Sequence, residues 1–154
     1  GCTGSTSEKA VQEIYNLPDI AMLDMGDFVG GLLKYFRKNP LPKLTIGGGF
    51  GKLTKLSQGK LDLHSRRSQV DFAKLAEQLK KLGATSELCK RATEANTANE
   101  VLKIAQKESI PIAENIAEKA RSVVIKTLGN TETELNILVI DGQGELAGKS
   151  KDNA

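Results

Sequence analysis

Residues 43–59, KLTIGGGFGKLTKLSQG, predict one unit of an α/β fold. Their first part is a short apolar run that predicts a strand over Lys43–Gly47, and their last part predicts a helix over Lys52–Gln58. The glycines between these two elements predict a loop. A strand, a glycine loop and a lysine-bearing helix have the layout of a phosphate cradle, in which backbone N–H groups contact an anion.

The rest of the chain repeats this alternation of strands and helices. Apolar runs predict two further strands and a short returning edge strand: Ile20–Met25, Asn136–Asp141 and Glu145–Gly148. Periodicity and capping residues predict helices over 6–16, 27–38, 72–82 and throughout 85–128. We therefore predict the α/β class, with a mostly parallel sheet, helices on both faces and a three-layer α/β/α arrangement.

The strand ends predict where a ligand would bind. In open α/β sheets, ligands lie beyond the carboxyl ends of the strands. If all strands are parallel, three loops belong at that edge of the sheet: Gly1–Ser7, Asp24–Asp27 and Gly47–Lys55. These loops are the candidate ligand-binding segments.

Length and charge favour a single domain with an anionic partner. A chain of 154 residues is long enough to bury one core. Residues 43–81 contain 9 cations and 3 acids, a balance of +6, whereas the whole chain is only +3. A basic middle third is typical of a site for an anionic ligand, although a solvated basic face is the simpler alternative.

Composition excludes several other classes of protein. No apolar run reaches the roughly 18 residues that a membrane span needs. The two cysteines and the single His64 cannot form a four-ligand Cys/His zinc site, so we predict no metal site. Nucleic-acid binding is also disfavoured, because only Phe50 and Phe72 could stack on bases in the basic third. We expect a cytoplasmic protein with free thiols.

The glycine-rich stretch matches no standard nucleotide motif. A P-loop ending at Gly51 and Lys52 requires its first glycine at Ile46 and a hydroxyl residue at Leu53. A dinucleotide fingerprint fails as well, since its third glycine would fall on Lys52. Nucleotide hydrolysis and a standard NAD site are therefore not predicted.

Each candidate residue also has a simpler structural interpretation. Glycines after a strand often form tight turns, and a lone His64 is more often a hydrogen-bonded structural group than a catalyst. Asp27 is expected to cap the helix that follows it. The lysines are individually expected to be solvated surface residues: Lys55, Lys60 and Lys74. The pair Arg66 and Arg67 has a stronger functional interpretation, because two guanidinium groups bind carboxylates well.

Several longer blocks together resemble one known family. The blocks are GSTSEKA at 4–10, MGDFVGGLLKY at 25–35, GGGFGKLTKLSQG at 47–59, LDLHSRRSQVDF at 61–72 and VIDGQGELAG at 139–148. In this order they are similar to the CbiD family, the cobalt-precorrin-5B C1-methyltransferases of anaerobic cobalamin biosynthesis. Members of that family are longer, so the resemblance implies that residues 1–154 are a single α/β domain, the C-terminal domain of a two-domain enzyme whose N-terminal part is absent.

The resemblance implies a reaction and its ligands. A methyl group would pass from S-adenosyl-L-methionine to C1 of a cobalt-corrinoid, and the cobalt would belong to the substrate. As hypotheses, we place these residues on the donor side: Gly1, Thr3, Gly4, Ser5, Asp24, Gly26, Asp27, Gly47, Gly48 and Gly49. We place Lys52, Lys55, Arg66 and Arg67 at the corrinoid carboxylates. His64 would orient the substrate or move a proton.

Two other functions stay open at this point. The glycine loop and the basic segment also fit a non-catalytic α/β binding module for an anionic metabolite or nucleotide. Nucleic-acid binding is the third and least favoured interpretation. The sequence does not indicate an oligomeric state.

Overall fold

The computed structural model describes residues 1–129 and 132–152. Its helices are α1 Ser5–Tyr15, α2 Val29–Lys38, α3 Phe50–Ser57, α4 Phe72–Lys81, α5 Ser86–Thr93, α6 Ala98–Lys107 and α7 Ile112–Leu128. Its strands are β1 Lys43–Gly49, β2 Glu134–Ile140 and β3 Leu146–Lys149. The predicted α/β class is confirmed.

The sheet has the order β1-β2-β3 and is mixed. β1 pairs with β2 in parallel, from Lys43 opposite Glu134 to Gly49 opposite Ile140. β3 is antiparallel to β2, so the prediction of a mostly parallel sheet is wrong. The three-layer arrangement stays a prediction.

A tight turn reverses the chain between β2 and β3. The carboxylate Oδ1 of Asp141 accepts from the N–H groups of Gln143 and Glu145, at 2.8 and 2.9 Å. Gly144 has φ of +82°, a backbone conformation that favours glycine. The returning edge strand that we predicted over 145–148 is confirmed as β3.

The predicted strand Ile20–Met25 is wrong. Pro18 instead precedes a single 3₁₀ turn, Asp19–Ala21, and the side chain of Ile20 is 93% exposed. The place beside β1 is occupied by the first residues of the chain, because Cys2 forms a parallel bridge with Gly47. Asp24 then bridges the far side of Cys2, so this segment adds one bridge and no strand.

The two faces of β2 bury different parts of the core. Leu135, Ile137 and Val139 lie in the large cluster that includes residues of α2, α3, α4, α5, α6 and α7. Leu138 and Ile140 lie in a small cluster with Cys2 and the α1 residues Ala10 and Val11. This alternation is the usual burial pattern of a strand covered on both sides.

The glycines of β1 are packing residues rather than a loop. β1 continues to Gly49 and α3 begins at Phe50, so the predicted glycine loop and the later helix start are wrong. A Cβ atom on Gly47 would lie 2.4 Å from Cγ2 of Val11. A Cβ atom on Gly48 would lie 2.9 Å from Cγ2 of Thr3. The bare backbone of β1 therefore lets α1 and the chain start lie directly against it.

A pair of alanine substitutions tests this packing role. We expect Gly47→Ala to destabilise the full-length protein by about 2 kcal/mol, because its Cβ would overlap Val11. Gly49→Ala is the matched control, since a Cβ there meets nothing within 4 Å, and its cost should stay below about 0.5 kcal/mol. Thermal unfolding measures both. Equal shifts of the unfolding midpoint would contradict this account of β1.

No helix among the described residues is long and apolar enough to cross a membrane.

Candidate functional site

An open hollow of about 450 Å³ lies at the edge of the sheet where β1 and β2 end. Its wall comes from the start of α1, the end of β1, the start of α3, the second residue of α6 and the end of β2. The lining residues are Thr3, Gly4, Ser5, Thr6, Ser7, Gly49, Phe50, Gly51, Lys52, Asn99, Ile140, Asp141 and Gly142. We call this hollow the rim pocket.

The rim pocket is bordered by the N-terminal turns of three helices. Ser5, Thr6 and Ser7 open α1, Phe50 to Lys52 open α3, and Asn99 lies in the first turn of α6. The first N–H groups of a helix have no partner within it, and the helix dipole is positive at that end. Such an arrangement favours a carboxylate or phosphate group of a ligand.

Asp141 is the acidic group of the rim pocket. Its Oδ1 atom holds the turn after β2, as described above. A carboxylate has two oxygens and about four acceptor positions, so Asp141 retains capacity for further donors. Hydroxyl or ammonium groups of a ligand would therefore fit on this side of the pocket, whereas its anionic groups would fit at the helix N-termini.

Lys52 connects the rim pocket to the start of α2. Its Nζ atom lies 2.8 Å from Oδ1 of Asp27 and donates to the carbonyl of Thr3 at 3.3 Å. Asp27 makes this ion pair instead of capping α2, whose N-cap is Phe28 with no side-chain cap, so the capping prediction is wrong. The Lys52 side chain is 40% exposed, which leaves its ammonium group within reach of a ligand.

The structure brings five of the predicted site residues together in the rim pocket: Thr3, Gly4, Ser5, Gly49 and Lys52. The other predicted donor-side residues do not line it. Gly47 and Gly48 are buried within β1, and Gly26 forms a turn with φ of +57°. Asp24 is exposed beside Cys2, and the amine of Gly1 donates to the carbonyl of Thr45.

His64, Arg66 and Arg67 lie in one irregular loop that packs on the start of α2. The N–H of Leu63 donates to the carbonyl of Asp27 at 2.9 Å. Nδ1 of His64 accepts from the N–H of Arg66 at 3.1 Å, so His64 has the hydrogen-bonded structural role given above as its simpler interpretation. A catalytic role of His64 stays a prediction.

Arg67 is held by two neighbours on this loop surface. Its guanidinium group pairs with the carboxylate of Asp62 and lies 5.4 Å from the centre of the Phe28 ring. The hydrogen bond from Arg67, together with the N–H of His64, lowers the pKa of Asp62 below its usual value. Phe28 is 59% exposed, so the start of α2 presents an aromatic face with the Arg67 guanidinium group beside it.

Comparison with known proteins places the chain in a family. The family model described as "CbiD, C-terminal domain" matches residues 62–151, which is more than half of the chain. The chain belongs to the CbiD family. The predicted family is thereby confirmed. No solved structure is significantly similar to the chain.

Two curated relatives of this CbiD chain cover nearly all of it. It is 51% identical over 148 residues to a cobalt-precorrin-5B C(1)-methyltransferase of Paramagnetospirillum magneticum. The matched region covers 96% of this chain and 41% of the relative. It is 52% identical over 149 residues to the protein of the same name from Brucella ovis, and this match covers 97% of the chain and 40% of that relative. The CbiD chain thus spans about two fifths of the length of these relatives.

Sequence reasoning missed part of the rim pocket of the CbiD chain. Thr6, Ser7, Phe50 and Gly51 lie inside two of the predicted loops, although they were not singled out. The residues outside all three predicted loops are Asn99, Ile140, Asp141 and Gly142. A signal was available for Asp141 and Gly142, because they directly follow the strand predicted most clearly and parallel strand ends meet at one edge. No local signal identifies Asn99, which reaches the pocket only through the packing of α6 beside α3.

Within residues 1–129 and 132–152, no group of three or more His, Cys, Asp or Glu residues could hold a metal ion.

Lys55 differs from the other predicted cations because it is buried. It is 8% exposed, and its Nζ atom donates to the carbonyl of Leu63 at 3.0 Å. The expectation that Lys55 is a solvated surface lysine is wrong. Its contact ties α3 to the loop that contains His64 and Arg67, so its observed role is to position that loop.

This role predicts a loss of stability when Lys55 is truncated. We expect Lys55→Ala to lower the free energy of unfolding of the full-length protein by about 2 kcal/mol, because the Leu63 carbonyl would lose its partner and a cavity would form. Lys60→Ala, an exposed neighbour, should cost less than about 0.5 kcal/mol. Urea denaturation measures both. Unchanged stability of Lys55→Ala with weaker substrate binding would instead support the corrinoid role.

Proposed function

We propose that this chain is the C-terminal part of an enzyme that transfers a methyl group from S-adenosyl-L-methionine to C1 of cobalt-precorrin-5B in cobalamin biosynthesis. The observation that supports it most is the rim pocket, with three helix N-termini at the carboxyl ends of the parallel pair, in a member of the CbiD family. The relatives named above have the corresponding enzyme name. A cytoplasmic location belongs to the same proposal.

The rim pocket suits the methyl donor on chemical grounds. The donor has a carboxylate, which fits the N–H groups at the starts of α1 and α3. Its ammonium and ribose hydroxyl groups fit the acceptor capacity of Asp141. Gly49 leaves open space at the end of β1, because a Cβ there would meet nothing within 4 Å. When bound, the donor supplies an electrophilic methyl group on its sulfonium.

The corrinoid would lie beside the rim pocket, over the loop that contains Arg66 and Arg67. Its macrocycle is a flat apolar disc with carboxylates around its edge. The exposed Phe28 ring fits the disc, and Arg66, Arg67 and Lys52 fit the carboxylates. Lys52 joins the two regions, since it lines the rim pocket and contacts Asp27, the residue before Phe28. Lys55 is less suited, because its ammonium group is already bound inside the protein.

The residues of this chain would act mainly by positioning. Holding two reactants in line accelerates a transfer without any covalent step on the protein. The carboxylate and ammonium ends of the donor would be fixed at opposite sides of the rim pocket. Enclosing the reacting groups would exclude water, which favours loss of charge from the sulfonium. The remaining three fifths of the polypeptide would complete that enclosure.

The non-catalytic binding module has support from the same pocket, because anion binding at helix N-termini requires no reaction. Calorimetric titration of S-adenosyl-L-methionine into the full-length protein, followed by a methyl-transfer assay with the cobalt-corrinoid, separates the two functions. Binding followed by turnover supports the enzyme. Donor binding with no turnover would support the module, and no donor binding would contradict the placement of the donor in the rim pocket.

A charge placed inside the rim pocket tests the donor site. Gly51 is in the first turn of α3, and a Cβ there meets only Ala98 at 3.7 Å, an ordinary contact. Gly51→Asp should therefore fold, while its carboxylate repels that of the donor. We expect donor affinity in the full-length protein to fall by roughly tenfold or more. Gly51→Asn, of equal shape and no charge, is the control. Equal donor affinities of the two variants would show that the donor carboxylate does not bind at this position.

Replacing the two arginines tests the corrinoid site. We expect the double substitution Arg66→Gln and Arg67→Gln to weaken corrinoid binding by roughly tenfold or more, with donor affinity nearly unchanged. The control is Lys80→Gln with Lys81→Gln, which removes two exposed charges from the end of α4. Calorimetry with each ligand measures the effect. Equal loss of both ligands, or loss of neither, would contradict this assignment.

A further inference from the structure

The first three residues form a short parallel ladder with the outer edge of β1. The amine of Gly1 donates to the carbonyl of Thr45 at 2.8 Å, and the carbonyl of Gly1 accepts from Gly47 at 3.0 Å. The N–H of Thr3 then donates to the carbonyl of Gly47 at 3.1 Å. Residues 1 and 3 thus take alternate rungs, as a parallel strand does.

The same ladder has open positions on the side that precedes Gly1. Backbone groups of a strand point alternately to its two neighbours, and Thr45 and Gly47 both point toward the chain start. The N–H of Thr45 and the carbonyl of Lys43 therefore face the same edge. They are the groups that the next rung, two residues before Gly1, would use.

A groove of about 400 Å³ runs along these open positions. One side is the edge of β1, and the other is the segment after the 3₁₀ turn; α1 forms the floor. The lining residues are Gly1, Val11, Tyr15, Leu17, Ala21, Met22, Leu23, Leu41, Lys43, Leu44 and Thr45. Most of them are apolar. We call this feature the edge groove.

At the end of the edge groove, the slot between β1 and the segment after the 3₁₀ turn holds one extended backbone. Where the groove ends, Cys2 already occupies that place and bonds on both sides. Its N–H donates to the carbonyl of Leu23, and its carbonyl accepts from Met25, both at 3.0 Å. Cys2 also bridges Gly47 of β1. The edge groove is the continuation of this slot toward Lys43 and Leu23.

The amine of Gly1 is poorly suited to its surroundings as a charged group. Burial lowers the pKa of this amine below its usual value, although Cys2 and Glu8 oppose the effect. A peptide N–H at the same place would make the same bond to Thr45 with no charge to desolvate. The environment of Gly1 is therefore that of a residue inside a strand.

We propose that the edge groove holds an extended segment of the same polypeptide, the one that precedes Gly1 in full-length CbiD proteins, paired with β1 as a further parallel strand. The relatives are more than twice as long as the part that this chain matches, and the matching family model is described as C-terminal. Full-length members therefore contain upstream sequence. This proposal does not depend on the proposed function.

The surroundings also specify the residue types of this strand. Cys2 lies in the cluster with Val11, whereas a Cβ on Gly1 would meet Leu32 and Met25. Both faces of the added strand thus continue from apolar surroundings at Gly1 and Cys2. The segment is a continuous run of β-branched and other apolar residues, as in strands that are buried on both faces.

Amide hydrogen exchange in a full-length protein containing this chain tests the proposal. We expect the Thr45 amide to be protected at least 100-fold relative to an unstructured peptide, because the added strand accepts from it. The exchange is measured at two protein concentrations tenfold apart. Thr45 exchanging at the unstructured rate would overturn the proposal. Protection that disappears on dilution would assign the groove to a second copy of the protein and overturn it as well.

Two aspartate variants localise the effect. Leu23→Asp places a carboxylate in the edge groove and should speed Thr45 exchange at least tenfold, with Val139 in β2 unchanged. Ile20→Asp is the control, since Ile20 is 93% exposed and does not line the groove. If Leu23→Asp left Thr45 protected, or if both variants had equal effects, the groove would not hold the segment.

Discussion

The absence of side chains on Gly47 and Gly48 is the constraint on which the arrangement of the site depends. Any larger residue at these positions would overlap Val11 or Thr3. Because both are glycine, the chain start lies in van der Waals contact with β1, and the first turn of α1 reaches the end of that strand. The same contact brings the N-termini of α1 and α3, the positive ends of their dipoles, to one hollow. The glycines thus serve ligand binding indirectly, through packing.

Two anchored lysines join this hollow to the neighbouring loop. Lys52 pairs with Asp27, and Lys55 donates to Leu63. The first contact ties α3 to the start of α2, and the second ties α3 to the loop containing Arg67, beside the rim pocket. The basic middle third of the sequence is therefore divided between cations that hold the fold and cations that face solvent. A pocket for one ligand and an aromatic, arginine-bearing surface for a second are adjacent, as a transfer between two bound molecules requires.

The sequence predicted the α/β class, the family, β1, β2, β3 and the position of α4, because apolar periodicity and turn residues are local signals. The strand over Ile20–Met25 was wrong for a non-local reason: Cys2 occupies the edge of β1 that an apolar run would otherwise take. Thr3, Gly4, Ser5, Gly49 and Lys52 were correctly placed near one another by the rule for strand ends. Asn99 was unpredictable, since it reaches the rim pocket through helix packing across almost 50 residues of chain. The buried state of Lys55 was equally invisible, because it depends on the later path of residues 59–68.

Chemical-shift mapping of donor binding tests the central claim most directly, since it shows which backbone groups surround the ligand. S-adenosyl-L-methionine would be titrated into the ¹⁵N-labelled full-length protein while amide resonances are followed. We expect the largest shifts at Gly4–Ser7, Gly49–Lys52 and Asp141–Gly142, with small shifts at Gly83–Leu88, which do not line the rim pocket. Saturable binding whose largest shifts lie outside the rim pocket would contradict it.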